Sequence, residues 1–146
     1  MEKGILVPVD DSAEAKRAAE KAVELAARLG VGVTLMTVVI TPMLPRQLME
    51  PAQASLLAEQ FRRAGEAVLA RLRPLAEAAR VPVETKLAEG APADQIVAEA
   101  GNGYLFVVMG ARGVGLAGQP SPLLGSVSDR VLRQSPIPVL IVRGEG

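Results

Sequence analysis

Two stretches carry residues suited to meeting a charged ligand: the acidic pair Asp10-Asp11 followed by Ser12, and the run GARGVGLAG at 110–118 with Gly125-Ser126 beyond it. A carboxylate beside phosphates can hold Mg²⁺, which commonly uses one or two carboxylates plus phosphate oxygens. Asp10 is assigned that ligand role, and Asp11 is assigned the cap of the following helix, its spacing to Glu14 matching a capping box; Ser12 is the alternative cap. Gly110 and Gly113 are read as letting the backbone approach a ligand and adopt positive φ. Gly125-Ser126 opens a helix, where free N–H groups and the helix dipole favour phosphate and the Ser126 hydroxyl adds a donor. The bland alternative makes Ser126 an ordinary N-cap. Arg112 is a candidate for phosphate pairing, although a loop arginine is more often solvated.

Residues 113–118, GVGLAG, match G-x-G-x-x-G, the dinucleotide fingerprint. That motif works when a helix opens directly after the glycines, so that a pyrophosphate meets its N-terminus. Here Gln119, Pro120, Ser121 and Pro122 intervene. The fingerprint is therefore read as a decoy, with Gly113 alone belonging to a site.

Absences narrow the chemistry further. The 146 residues include no cysteine and no histidine. Disulfides, thiolate nucleophiles, Ser-His-Asp triads and Cys- or His-ligated metals are excluded. Ser126 without a histidine base is a poor nucleophile. Sixteen basic residues balance sixteen acidic ones, so no electrostatic attraction draws the chain to nucleic acid or an anionic membrane. No apolar run reaches transmembrane length, and the opening MEKGILVPVD goes straight into a strand pattern; a cytoplasmic protein is expected.

The elements that must position these residues follow from apolar runs and punctuation. Strands are expected at Gly4–Val9, Val31–Val39, Val83–Leu87, Leu105–Met109 and Pro138–Val142. Helices are expected at Ser12–Leu29, Ala52–Ala79, from Pro92, and at Ser126–Gln134. Gly30 stops the first helix and Pro92 suits the first turn of the third. The loop Thr41 to Pro51 reads as a connection or a lid. Continuous apolar strands alternating with helices indicate a parallel sheet covered on both faces, and 146 residues suit a single domain over 1–146. Two doubly wound orders are compatible with this pattern, 2-1-3-4-5 and 3-2-1-4-5. In the second, the carboxyl ends of strands 1 and 4 meet at the switch point, bringing Asp10 and Gly110–Gly113 to one crevice.

Gly110-x-x-Gly113, a spacer, Gly125-Ser126 and the closing VSDRVLRQSPIPVLIV resemble the universal stress proteins, as do ILVPVDDS and GAPADQI. The resemblance spans nearly the whole chain. It implies an α/β fold with a doubly wound five-stranded parallel sheet in the order 3-2-1-4-5, and an ATP site. Asp10 would contact the ribose or a phosphate-bound Mg²⁺ or Mn²⁺. Val38 would meet adenine through its backbone, and Met109 would line the pocket. Gly110, Gly113, Gly125, Ser126 and Val127 would wrap the ribose and phosphates, with Arg112 beside them. The final strand, Val139 to Val142, would pair with its copy in a homodimer. One departure stands out: the family spacer of nine is eleven here, Val114 to Leu124.

The function expected is therefore an ATP-binding regulator of the stress response, acting on a protein partner the sequence does not name. A nucleotide-independent dimeric interaction module is the alternative, supported by the longer spacer. A slow ATPase is another; no general base is evident, and efficient catalysis is not expected. Flavodoxin-like FMN binding is a weaker rival, because one tyrosine and two phenylalanines supply little for stacking a flavin.

Overall fold

The computed structural model describes residues 3–40, 50–112 and 124–144. Gly113, residues 114–123 of the spacer and residues 41–49 of the proposed lid lie outside these. The elements are β1 (Ile5–Pro8), α1 (Ala13–Leu29), β2 (Val33–Val39), α2 (Pro51–Ala78), β3 (Val83–Glu89), α3 (Pro92–Ala100), β4 (Phe106–Gly110), α4 (Ser126–Gln134) and β5 (Val139–Val142). All strand pairings are parallel and the order is β3-β2-β1-β4-β5. The expected architecture and order are both found. Pro51, read as the end of a loop, instead opens α2.

The sheet is sandwiched because successive strand residues point to opposite faces. Ile5, Val7, Val33, Leu35 and Val108 pack under α1 and α2. Leu6, Met36, Val107 and Met109 pack against Ala93, Ile96 and Ala100 of α3 and Val131 of α4. Burying both faces of β1 requires apolar residues throughout, and Ile5, Leu6 and Val7 are all fully buried. Helix α1 approaches the sheet through a face of Ala15, Ala18, Ala19, Ala22 and Ala26. It ends at Gly30, whose φ of 71° closes the helix and whose N–H donates to the Ala26 carbonyl.

The strand β3 departs from the continuous apolar pattern. It forms one margin of the sheet, and Glu84, Thr85 and Lys86 are exposed. Charged residues on a margin strand discourage pairing with other chains. β5 forms the other margin, and there Leu140 stays 42% exposed.

Candidate functional site

At the carboxyl ends of β1, β2 and β4 lies a cavity of about 430 Å³, within the usual range for small-ligand sites. Its position is the switch point, where β1 pairs with β2 on one side and β4 on the other. Asp10, Val38, Met109, Gly110, Arg112, Gly125, Ser126 and Val127 all line it. Every sequence-predicted site residue within the described parts of the chain thus meets in one place.

The acidic end is set by the start of α1. Ser12 is the N-cap, its Oγ accepting the Ala15 N–H at 3.0 Å. Asp10 Oδ1 accepts the Ser12 N–H at 3.0 Å, which fixes its carboxylate at the mouth of this helix. Asp11 is not the cap. It turns outward and pairs with Arg71 of α2. Glu14 does not close a capping box either, because its carboxylate is committed to Arg112. Arg112 N–H donates to Glu14 Oε2 at 2.7 Å, while Nε and Nη2 donate to Oε1 at 3.2 and 2.9 Å. Neither expectation for Arg112, solvated or free to pair with phosphate, describes this state: its side chain is 17% exposed and already paired.

The glycine end differs from expectation in one respect. The described glycines with positive φ are Gly4, Gly30, Gly90 and Gly103, so Gly110 is not in the left-handed region. It is glycine because α1 crosses it: a Cβ there would lie 3.1 Å from the Glu14 Cβ and 3.2 Å from the Glu14 carbonyl carbon. Helix α4 then starts at Ser126 with Gly125 as its N-cap and no side-chain cap bond. The Ser126 hydroxyl is therefore not spent on capping, and the residue is exposed at the cavity wall.

The two ends of the spacer are held together. The Gly125 N–H donates to the Ala111 carbonyl at 2.8 Å. Buried Ser128 donates through its Oγ to the Gly110 carbonyl at 2.9 Å. These two contacts tie the start of α4 to the end of β4.

The sequence reading missed the third wall. Pro92 and Ile96 of α3, Ile40 after β2, and Thr37 also line the cavity. Gly90 places them: its φ is 129° and its N–H donates to the Val39 carbonyl at 3.0 Å, tying the start of α3 to the end of β2. The signal was the Gly90-Ala91-Pro92 turn, recognised as a helix start but not as a wall. The wall is largely apolar, suiting a flat heteroaromatic group, whereas Asp10, Ser126 and the N-terminus of α4 form a polar end. Asp10 is the one acid among the described lining residues, and no described group of three or more acids is placed to hold a metal. One carboxylate still fits Mg²⁺ brought with a phosphate ligand.

A second polar cluster lies apart from the cavity and contributes none of its lining. Burial raises the Glu99 carboxyl, but hydrogen bonds from Lys86, Tyr104 and Asn102 outweigh it and hold the group below the ordinary carboxylate range. Tyr104 donates to Glu99 Oε2 at 2.6 Å; burial first, then this bond, pushes its hydroxyl up to about 12.

Comparison with known proteins matches these features as a set. The sequence model of the universal stress protein family matches residues 1–143. A universal stress protein of Thermus aquaticus is 38% identical over 144 residues, covering 98% of this chain and all of its own. One from Methanocaldococcus jannaschii is 34% identical over 146 residues, covering 97% of this chain and 82% of its own. A solved universal stress protein in complex with cAMP superposes with a TM-score of 0.70 at 29% identity, over 96% of each chain. With sheet order, switch-point cavity and sequence in agreement over almost its full length, the chain belongs to the universal stress protein family.

Proposed function

We propose that this protein is an ATP-binding regulator of the universal stress type that works as a homodimer in the cytoplasm, as one domain over residues 1–146. The observation that carries the reading is the gathering of Asp10, Val38, Met109, Gly110, Gly125, Ser126 and Val127 around one cavity with an apolar and a polar end. Adenine sits against Val38 and the α3 wall. The carbonyls of Met36 and Val39 already accept from Val9 and Gly90, and the base is assigned to the backbone of Val38. The phosphates face the α4 N-terminus and the Ser126 hydroxyl; Gly113, outside the described residues, keeps the phosphate role that the resemblance implies. Asp10 would share Mg²⁺ or Mn²⁺ with phosphate oxygens, and the ion would offset phosphate charge there. That a relative was solved in complex with cAMP supports an adenine nucleotide as the ligand.

Catalysis is not the assigned role. Asp10 already holds the Ser12 N–H, and no second lining carboxylate is described to activate water. Slow hydrolysis is compatible with the proposal, and efficient turnover is not expected. The homodimer is placed on β5, a margin strand with Leu140 outward.

Calorimetric titration of nucleotide-stripped protein with ATP and Mg²⁺, beside cAMP and GTP, tests the reading. Micromolar ATP binding with weaker GTP supports it. Preference for cAMP over ATP would reassign the ligand. Absence of binding to any of the three would leave the nucleotide-independent interaction module as the function.

A further inference from the structure

We infer that Glu14 is a positioning residue: through Arg112 it clasps the β4 end to α1 and so sets the phosphate end of the cavity. The inference rests on the nucleotide reading for its consequence, but not for the clasp itself. Glu14 stands on the first turn of α1, beside the segment carrying Asp10 and Ser12. Arg112 stands beyond β4, beside the segment carrying Gly110. Both carboxylate oxygens of Glu14 are used on Arg112, one on its backbone N–H and the other on its guanidinium. The pair is 13% and 17% exposed, so water competes little with it. Two glycines leave room for Glu14: a Cβ at Gly110 would lie 3.1 Å from the Glu14 Cβ, and one at Gly144 would lie 3.2 Å from Glu14 Oε1.

The guanidinium is turned to Glu14. Nη1 is buried and has no hydrogen-bond partner among the described residues. Arg112 therefore serves the site through its backbone. Its N–H fixes the chain one residue beyond Ala111, whose carbonyl receives the Gly125 N–H at the start of α4. Glu14, Arg112, Ala111 and Gly125 form one chain of contacts from the Asp10 side of the cavity to the Ser126 side.

The test uses the whole nucleotide-stripped protein and the variants Glu14→Ala and Glu14→Gln. Amide hydrogen exchange in the ligand-free state reads the clasp directly. The Arg112 and Gly125 amides should exchange faster in Glu14→Ala than in wild type, with Glu14→Gln in between because its amide oxygen still accepts one N–H. Unchanged exchange at both would overturn the clasp, whether or not nucleotide binds. Calorimetry with ATP and with adenosine reads the consequence. Glu14→Ala should weaken ATP about tenfold and adenosine less than about twofold, the loss falling on the phosphate end alone. Equal losses for both ligands would mean a merely structural role. Tighter ATP binding in either variant would show Arg112 released to become a phosphate ligand, reversing the inference. If wild type binds neither ligand while exchange responds as expected, the nucleotide reading falls and the clasp stands.

Discussion

At the scale of single residues, Ser126 and Asp10 separate a ligand role from a merely local one. Gly125 occupies the N-cap of α4, so deleting the Ser126 hydroxyl removes no cap bond. Ser126→Ala should leave the melting temperature unchanged and weaken ATP by about 1 kcal/mol, roughly fivefold in Kd, the net worth of one hydrogen bond. A drop in melting temperature with unaltered affinity would return Ser126 to a structural role. Asp10 calls for a gentler change, because its Oδ1 also receives the Ser12 N–H. Asp10→Asn keeps that acceptor and removes the charge. It should abolish the difference between ATP titrations with Mg²⁺ and with a chelator, while circular dichroism stays that of wild type.

At the scale of elements, two contacts decide stability away from the cavity. Gly4 precedes β1 with φ of 84°, and a Cβ there would lie 2.2 Å from the Gly32 carbonyl oxygen. Gly4→Ala combines left-handed strain with a backbone clash and should cost at least about 2 kcal/mol in urea denaturation. The Glu99–Tyr104 contact joins the end of α3 to the segment entering β4, with Lys3 stacked 5.4 Å from the Tyr104 ring. It makes stability depend on pH at both extremes. The Tyr104 hydroxyl is raised in the folded state, so its contribution is complete below 10 and is lost as pH climbs from 10 towards about 12. Glu99 is lowered, so its contribution is complete above 4.5 and fades as pH falls below that value. Tyr104→Phe should flatten the alkaline limb of a stability–pH curve; an unchanged alkaline limb in this variant would refute the assignment.

At the scale of the whole molecule, the proposed homodimer and the spacer make testable demands. β3 presents Glu84, Thr85 and Lys86 to solvent, whereas β5 leaves Leu140 outward. Under the proposed homodimer, this asymmetry favours β5 as the seam. Sedimentation should show a dimer, and Leu140→Asp should yield a folded monomer. The spacer should tolerate shortening, because the Gly125–Ala111 and Ser128–Gly110 hydrogen bonds hold its base together. Removing Gln119 and Pro120 restores the family length of nine. It should leave ATP affinity within about twofold, since loop closure changes slowly with length. A large gain in affinity on shortening would show that the longer spacer had impaired the site.

The sequence by itself determined the alternation of strands and helices, because buried parallel strands need unbroken apolar runs such as Ile5-Leu6-Val7 and helices announce themselves by caps and stops such as Gly30. Part of the cavity was also legible: a switch point between strands 1 and 4 brings Asp10 and Gly110 together, and the family resemblance supplied the strand order with Val38, Met109 and Val127, whereas the wall at Pro92 and Ile96 went unread. The exposure of β3 was misread: its Val83 and Leu87 resemble a buried run until its place at the margin is known. The caps and pairings were decided by tertiary structure. Asp11 and Ser12 are adjacent and chemically equivalent as caps, and only the approach of Arg71 from α2 turns Asp11 away. Glu14 reads locally as half of a capping box, yet it meets Arg112 across 98 positions of sequence. A contact of that separation exists only once α1 is laid across Gly110, and no local pattern encodes it.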